Sequence, residues 1–190
     1  MSAPVVGGGP DLDHPGVVAI VERRATCAAP EAVRCSGTLV APRVVLTAAH
    51  CLDGRRADEL EVVIGADLRG PAGAALAVQD AALHPGYVPG QLAAGHDLAL
   101  LLLAEPAAPP PIALVDAPPP ELIVGATVRL VALGAPADHA DGGQRLAADA
   151  TVTAVTATDV TLAGPGVPCG ADSGGAVFIV DFTLDTERGP

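Results

Sequence analysis

The sequence predicts an all-β fold in two halves, and three observations lead there. Short runs rich in Val, Ile, Leu and Thr recur between turn signals along its 190 residues, the composition of side chains that fit a pleated, half-buried surface. Its 19 prolines and 22 glycines interrupt most windows in which a helix could propagate. Two proline clusters, Pro106-Ala107-Ala108-Pro109-Pro110-Pro111 and Pro118-Pro119-Pro120, fall between the two sets of runs. Such segments lack backbone donors and suit an extended connector better than a central strand.

The first set begins with Val17 to Val21, an apolar run after Pro15-Gly16. Gly37 to Val40 and Val44 to Leu46 follow, separated by Pro42-Arg43, then Glu61 to Ile64 before Gly65, and Leu98 to Leu103 ahead of the prolines. The second set comprises Thr127 to Leu133, Ala150 to Val155, Asp159 to Leu162, and Ala176 to Val180 behind Gly174-Gly175. Their content and spacing point to a sandwich or barrel in each half.

Composition narrows the function classes. Half of the residues are apolar, enough for a core and incompatible with an ordinary disordered chain. Only Tyr87, Phe178 and Phe182 are aromatic, so packing falls to aliphatic side chains and alanine. The net charge is −12, all ten basic residues are arginine, and no run of them exceeds the pairs Arg23-Arg24 and Arg55-Arg56. Nucleic acid is therefore excluded as a default partner. The longest apolar run, Leu98 to Ala104, is far short of the ~20 residues that span a bilayer. Met1-Ser2-Ala3-Pro4 shows neither a charged nor an apolar signal region, so no signal peptide is visible. Nothing in these features fixes an oligomeric state.

Three segments carry chemistry. Leu46-Thr47-Ala48-Ala49-His50-Cys51 supplies a histidine, Gly95-His96-Asp97-Leu98 an aspartate, and Cys169-Gly170-Ala171-Asp172-Ser173-Gly174-Gly175 a serine among glycines. A serine hydroxyl is a weak nucleophile at neutral pH and needs a base such as histidine to take its proton. A carboxylate fixes the imidazole tautomer and stabilises the imidazolium. Glycines beside the serine let backbone amides turn towards a developing oxyanion.

On these motifs the chain resembles the trypsin/chymotrypsin-type serine proteases, from Val5 to about Val180. The resemblance implies two orthogonal antiparallel β-barrels: residues 1–110 carry His50 and Asp97, and residues 111–190 carry Ser173. It implies an endopeptidase in which Ser173 is nucleophile, His50 general base and Asp97 its orienting carboxylate, acting on protein or peptide substrates without a cofactor. Val5-Val6-Gly7-Gly8 resembles the mature family N-terminus, whose ammonium would pair with Asp172. Cys35-Ser36-Gly37-Thr38-Leu39-Val40 resembles the segment leading to the histidine. A Cys35–Cys51 disulfide follows from the resemblance, and with it an exported, secreted or periplasmic location. Cys169 matches a cysteine whose family partner lies downstream, where this sequence has none; it is free or bonds Cys27.

The sequence also departs from the family pattern. Ala171 stands where relatives have glycine, and its N–H, with that of Ser173, would form the oxyanion hole. Losing one such donor costs ~10²–10³ in turnover. Val167, at the base of the primary pocket, cannot pair a cation, which implies apolar or small specificity. Pro4 precedes Val5, so trypsin-like self-activation is not expected. Only 17 residues follow Ser173 and tryptophan is absent, so the second barrel is expected to be shortened and its Ser-Trp-Gly substrate strand missing. Two further readings stand beside the enzyme: a silent protease homologue acting as a binding module, and a truncated gene product. Among the other histidines, His96 reads as a solvated loop residue and His84 as a turn residue. No group with metal-ligand spacing emerges, and no metal is expected.

Overall fold

The computed structural model describes residues 8–23, 33–68, 73–92, 95–115, 117–134, 143–157, 159–164 and 172–179. Val5, Cys27, Val167, Cys169 and Ala171 lie outside them. Among the described residues the regular structure is β-strand with two short 3₁₀ turns. Eleven strands run in chain order: β1 (Gly9–Pro10), β2 (Val17–Glu22), β3 (Val33–Ala41), β4 (Val44–Thr47), β5 (Leu60–Ile64), β6 (Ala74–Leu83), β7 (Ala99–Leu103), β8 (Thr127–Ala132), β9 (Leu146–Val155), β10 (Val160–Ala163) and β11 (Ala176–Ile179). The all-β expectation holds.

Strands β2 to β7 close into a barrel in the order β2-β3-β4-β7-β6-β5, every pairing antiparallel. Period-two alternation decides what each strand sends inward. Val18 and Ile20 of β2, Leu39 of β3, Val62 of β5, and Ala99, Leu101 and Leu103 of β7 meet in the barrel interior. The intervening β2 residues, Val17, Ala19 and Val21, face outward onto Val131 and Leu133 of the second half. Both faces of β2 are thus covered, which explains why it reads as an unbroken apolar run.

The second half forms a five-stranded sheet in the order β1-β9-β8-β11, with β10 also on β9. Strand β9 alternates buried Leu146, Ala148, Ala150 and Val152 with more exposed neighbours. The proline-rich crossing runs without strand over its described residues, pinned by Ala107 N–H to Pro42 O at 2.7 Å and Ile112 N–H to Leu39 O at 2.8 Å. Strand β1 crosses the other way: Gly9 and Pro10 pair with Ala147 and Leu146.

Arg145 locks these pieces together. Its side chain is 3 % exposed, and its Nε donates to Asp11 Oδ2 at 3.0 Å. Its Nη1 donates to the Val17 and Gly65 carbonyls at 3.3 and 3.4 Å. One guanidinium therefore joins the N-terminal segment, the barrel and the start of β9. A buried arginine needs such a set of acceptors, since an unpaired charge in the interior is very costly.

Strand β1 and the first part of β3, Val33 to Ser36, were not expected from the sequence, and two further departures, at β6 and β9, have a physical reason. Strand β6 is made largely of Ala with Gln79 and Asp80 and is mostly exposed, a composition of low β-propensity. It forms because β5 and β7 flank it on either side. The first part of β9, Leu146 to Asp149, is likewise Ala-rich and is held between β1 and β8.

Candidate active site

His50 sits in the 3₁₀ turn Ala49–Leu52, directly after β4. Ala49, Cys51 and Leu52 point into the barrel core, which leaves His50 as the turn's outward side chain. Cys51 is bonded to Cys35 of β3, so the turn is covalently tied to the barrel wall. The disulfide implied by the family resemblance is present. Cys35, Cys51 and His50 lie close enough to suggest a metal site. Both sulfurs, however, are committed to the disulfide and offer no thiolate.

Asp97 meets His50 twice. Its Oδ2 lies 2.7 Å from His50 Nδ1, and its Oδ1 accepts the His50 backbone N–H at 2.8 Å. The two side chains retain 31 % and 22 % of their exposure, so the pair is partly shielded yet open on one side. With Nδ1 donating to the carboxylate, the neutral ring presents Nε2 as its acceptor. That tautomer is the one a general base requires.

Ser173 lies in the described stretch before β11 and is half-buried. Its carbonyl accepts the Ser36 N–H at 2.8 Å, and Cys51 Sγ is 3.9 Å from that same oxygen. A disulfide sulfur carries no proton, so the second approach is a packing contact. Ser173 is thereby fastened to the strand and the disulfide that also hold the His50 turn. Gly174 makes this approach possible. It adopts φ +81°, and a Cβ there would come within 2.3 Å of both Ser36 O and Thr47 Oγ1. Only glycine fits that space.

Asp172 is buried at 6 % exposure, and its Oδ1 accepts the Gly134 N–H at 3.0 Å. Its expected partner Val5, the oxyanion donor Ala171 and the pocket residue Val167 lie outside the described residues. The structure thus brings His50 and Asp97 into contact and tethers Ser173 to the same scaffold.

Ser36 is a site residue that motif reading did not single out. It is fully buried. Beyond the bond from its N–H to Ser173, its carbonyl accepts Thr47 Oγ1 at 2.8 Å and its Oγ accepts the Leu133 N–H at 2.9 Å. The available signal was its place in β3: on a strand of period two, Ser36 and Thr38 share the face opposite Cys35 and Leu39. Buried serines on such a face serve backbone groups. Near the site, Tyr87 Oη donates to Asp53 Oδ2 at 2.8 Å. Desolvation and the Asp53 carboxylate push the Tyr87 phenol up to about 12, so it remains a donor.

A closed antiparallel barrel beside a second sheet, with a histidine–aspartate pair on the barrel and a serine fastened next to it, is the architecture of the two-barrel serine proteases. Residues 8–181 match the trypsin family. A trypsin from Saccharopolyspora erythraea is 36 % identical over 115 residues, covering 58 % of this chain and 47 % of that protein. Coagulation factor XII from Bos taurus is 47 % identical over 77 residues, covering 38 % of this chain and 12 % of that protein. Among solved structures, the Vibrio cholerae VesB protease superposes with a TM-score of 0.70 at 25 % identity, covering 94 % of this chain and 57 % of that one. Human heparin binding protein superposes at 0.73 and 21 % identity, covering 93 % and 81 %, a likeness of fold. The chain spans about half or less of the length of these curated relatives. It belongs to the trypsin family of serine proteases.

Proposed function

We propose that the chain is a serine endopeptidase with His50, Asp97 and Ser173 as its triad. The observation that carries the reading is the bond between His50 Nδ1 and Asp97 Oδ2 at 2.7 Å, which leaves Nε2 as the acceptor. In this mechanism Ser173 Oγ attacks the peptide carbonyl and its proton passes to His50 Nε2. Asp97 stabilises the imidazolium without taking the proton. The tetrahedral oxyanion draws on the backbone N–H groups of Ala171 and Ser173. Collapse breaks the C–N bond, His50 returns the proton to the leaving amine, and water then hydrolyses the acyl-enzyme by the same relay. No cofactor takes part.

Val167 gives the primary pocket an apolar base, so small or apolar side chains are the proposed substrates. An ion pair between the Val5 ammonium and Asp172 is the proposed activating contact. The Cys35–Cys51 bond supports an oxidising, extracytoplasmic destination.

Quenched fluorescent peptides that differ only at the cleaved position test the whole reading. Cleavage after Ala, Val or Leu in preference to Arg, abolished in Ser173→Ala and in His50→Ala, is expected. Cleavage that survives Ser173→Ala, or folded protein that cleaves none of the series, would overturn it.

A further inference from the structure

Asp97 is presented by a tight bend. Among the described residues, His96 is the one non-glycine with a positive φ, at 65°. A β-carbon in the left-handed region is sterically disfavoured, and such a residue persists only where its surroundings over-determine it. His96 immediately precedes Asp97. Its carbonyl accepts the Leu98 N–H at 2.8 Å, which closes a three-residue turn with Asp97 at the apex.

A second residue holds this turn from both sides. The His84 N–H donates to the Leu98 carbonyl at 2.8 Å, fixing the exit. The His84 ring stacks on the His96 ring, centroids 4.6 Å apart and planes within 2°, fixing the entry. His84 is itself oriented, because its Nδ1 accepts the Gly86 N–H at 3.1 Å. Gly86 leaves room for the stack, since a Cβ there would lie 2.8 Å from His96 Cδ2. Both imidazoles are exposed, so burial does not account for the arrangement.

We propose that His96 is a positioning residue: its left-handed backbone, clamped by the His84 ring, aims the Asp97 carboxylate at His50. The proposal rests on reading Asp97 as the orienting carboxylate of the triad. Neither histidine touches substrate or the reacting atoms. Both act through Asp97.

The test follows the His50 Nδ1–H resonance of ¹⁵N-histidine-labelled protein, together with the rate at which a fluorophosphonate labels Ser173. His96→Ala keeps a Cβ but loses the ring, and should slow labelling about tenfold or more and shift or broaden the resonance, as a misaimed catalytic group would. His96→Asn, a residue that tolerates the left-handed region, should recover part of that loss. His84→Ala leaves His96 in place, removes the clamp, and should move the resonance in the same direction as His96→Ala. It also serves if His96→Ala does not fold. With peptide substrates, kcat should fall while KM holds. The proposal is overturned if His96→Ala and His84→Ala, or His84→Ala alone where the other does not fold, retain the wild-type resonance and labelling rate. If wild-type Ser173 takes no label, the serine protease reading has failed. The resonance alone then decides whether His96 positions Asp97.

Discussion

At the scale of single residues, the two oxygens of Asp97 do different jobs: one holds the His50 ring and the other its backbone N–H. An amide satisfies only one of these, because its nitrogen would point a donor at another donor. Asp97→Asn should therefore lower turnover by about 10⁴-fold while leaving the fold intact, checked by peptide hydrolysis alongside circular dichroism. Gly174 is bounded by backbone and by the Thr47 hydroxyl rather than by a yielding side-chain end. Gly174→Ala should push the Ser173 segment off β3, lower the melting temperature by several degrees, and abolish activity. Thermal denaturation and hydrolysis report the two effects separately. His50, Asp97 and Ser173 were legible in the sequence as candidates because each sits inside a contiguous motif. Ser36 was not, since its role depends on Thr47, Leu133 and Ser173, which only the fold brings together. From its local sequence His96 reads as a solvated loop residue. It is exposed, but a backbone dihedral and a stack on a residue twelve positions away leave no trace in a local pattern.

At the scale of elements, the buried Asp11–Arg145 pair ties β1 to β9 and to the barrel. Burial opposes ionisation of Asp11, but hydrogen bonds and charge from His14, with a hydrogen bond from Arg145, outweigh it and hold its carboxyl below the usual value. A carboxylate lowered in the folded state stabilises fully above its unfolded pKa of about 3.9, and the contribution is lost as pH falls through the folded value. Below about pH 4 the wild type should therefore lose stability more steeply than Asp11→Ala, in melts recorded across acid pH. At neutral pH the same substitution leaves a buried guanidinium without its counter-charge and should cost about 3–5 kcal/mol. Strands such as β2 were legible because burial on both faces demands an unbroken apolar run. Strand β6 was not: ten residues rich in Ala, with Gln79 and Asp80, become a strand only because two neighbours supply its pairing.

At the scale of the whole molecule, the two halves meet where Val17, Ala19, Val21 and Val63 pack on Val131 and Leu133. Leu133 is fully buried there, and Leu133→Ala should cost about 2–5 kcal/mol, read as a shift in the denaturant midpoint. Ser36, the register partner of Ala19 in that contact, accepts the Leu133 N–H through its Oγ and donates its own N–H to the Ser173 carbonyl, so the interface that stabilises the molecule also sets the serine beside the histidine turn. The central claim is that this scaffold presents Ser173 as a nucleophile activated by His50. Incubation with a fluorophosphonate followed by peptide mass mapping tests it most directly. One label per chain on Ser173, lost in His50→Ala, is the predicted result; folded protein that takes no label, or takes it at another serine, contradicts it.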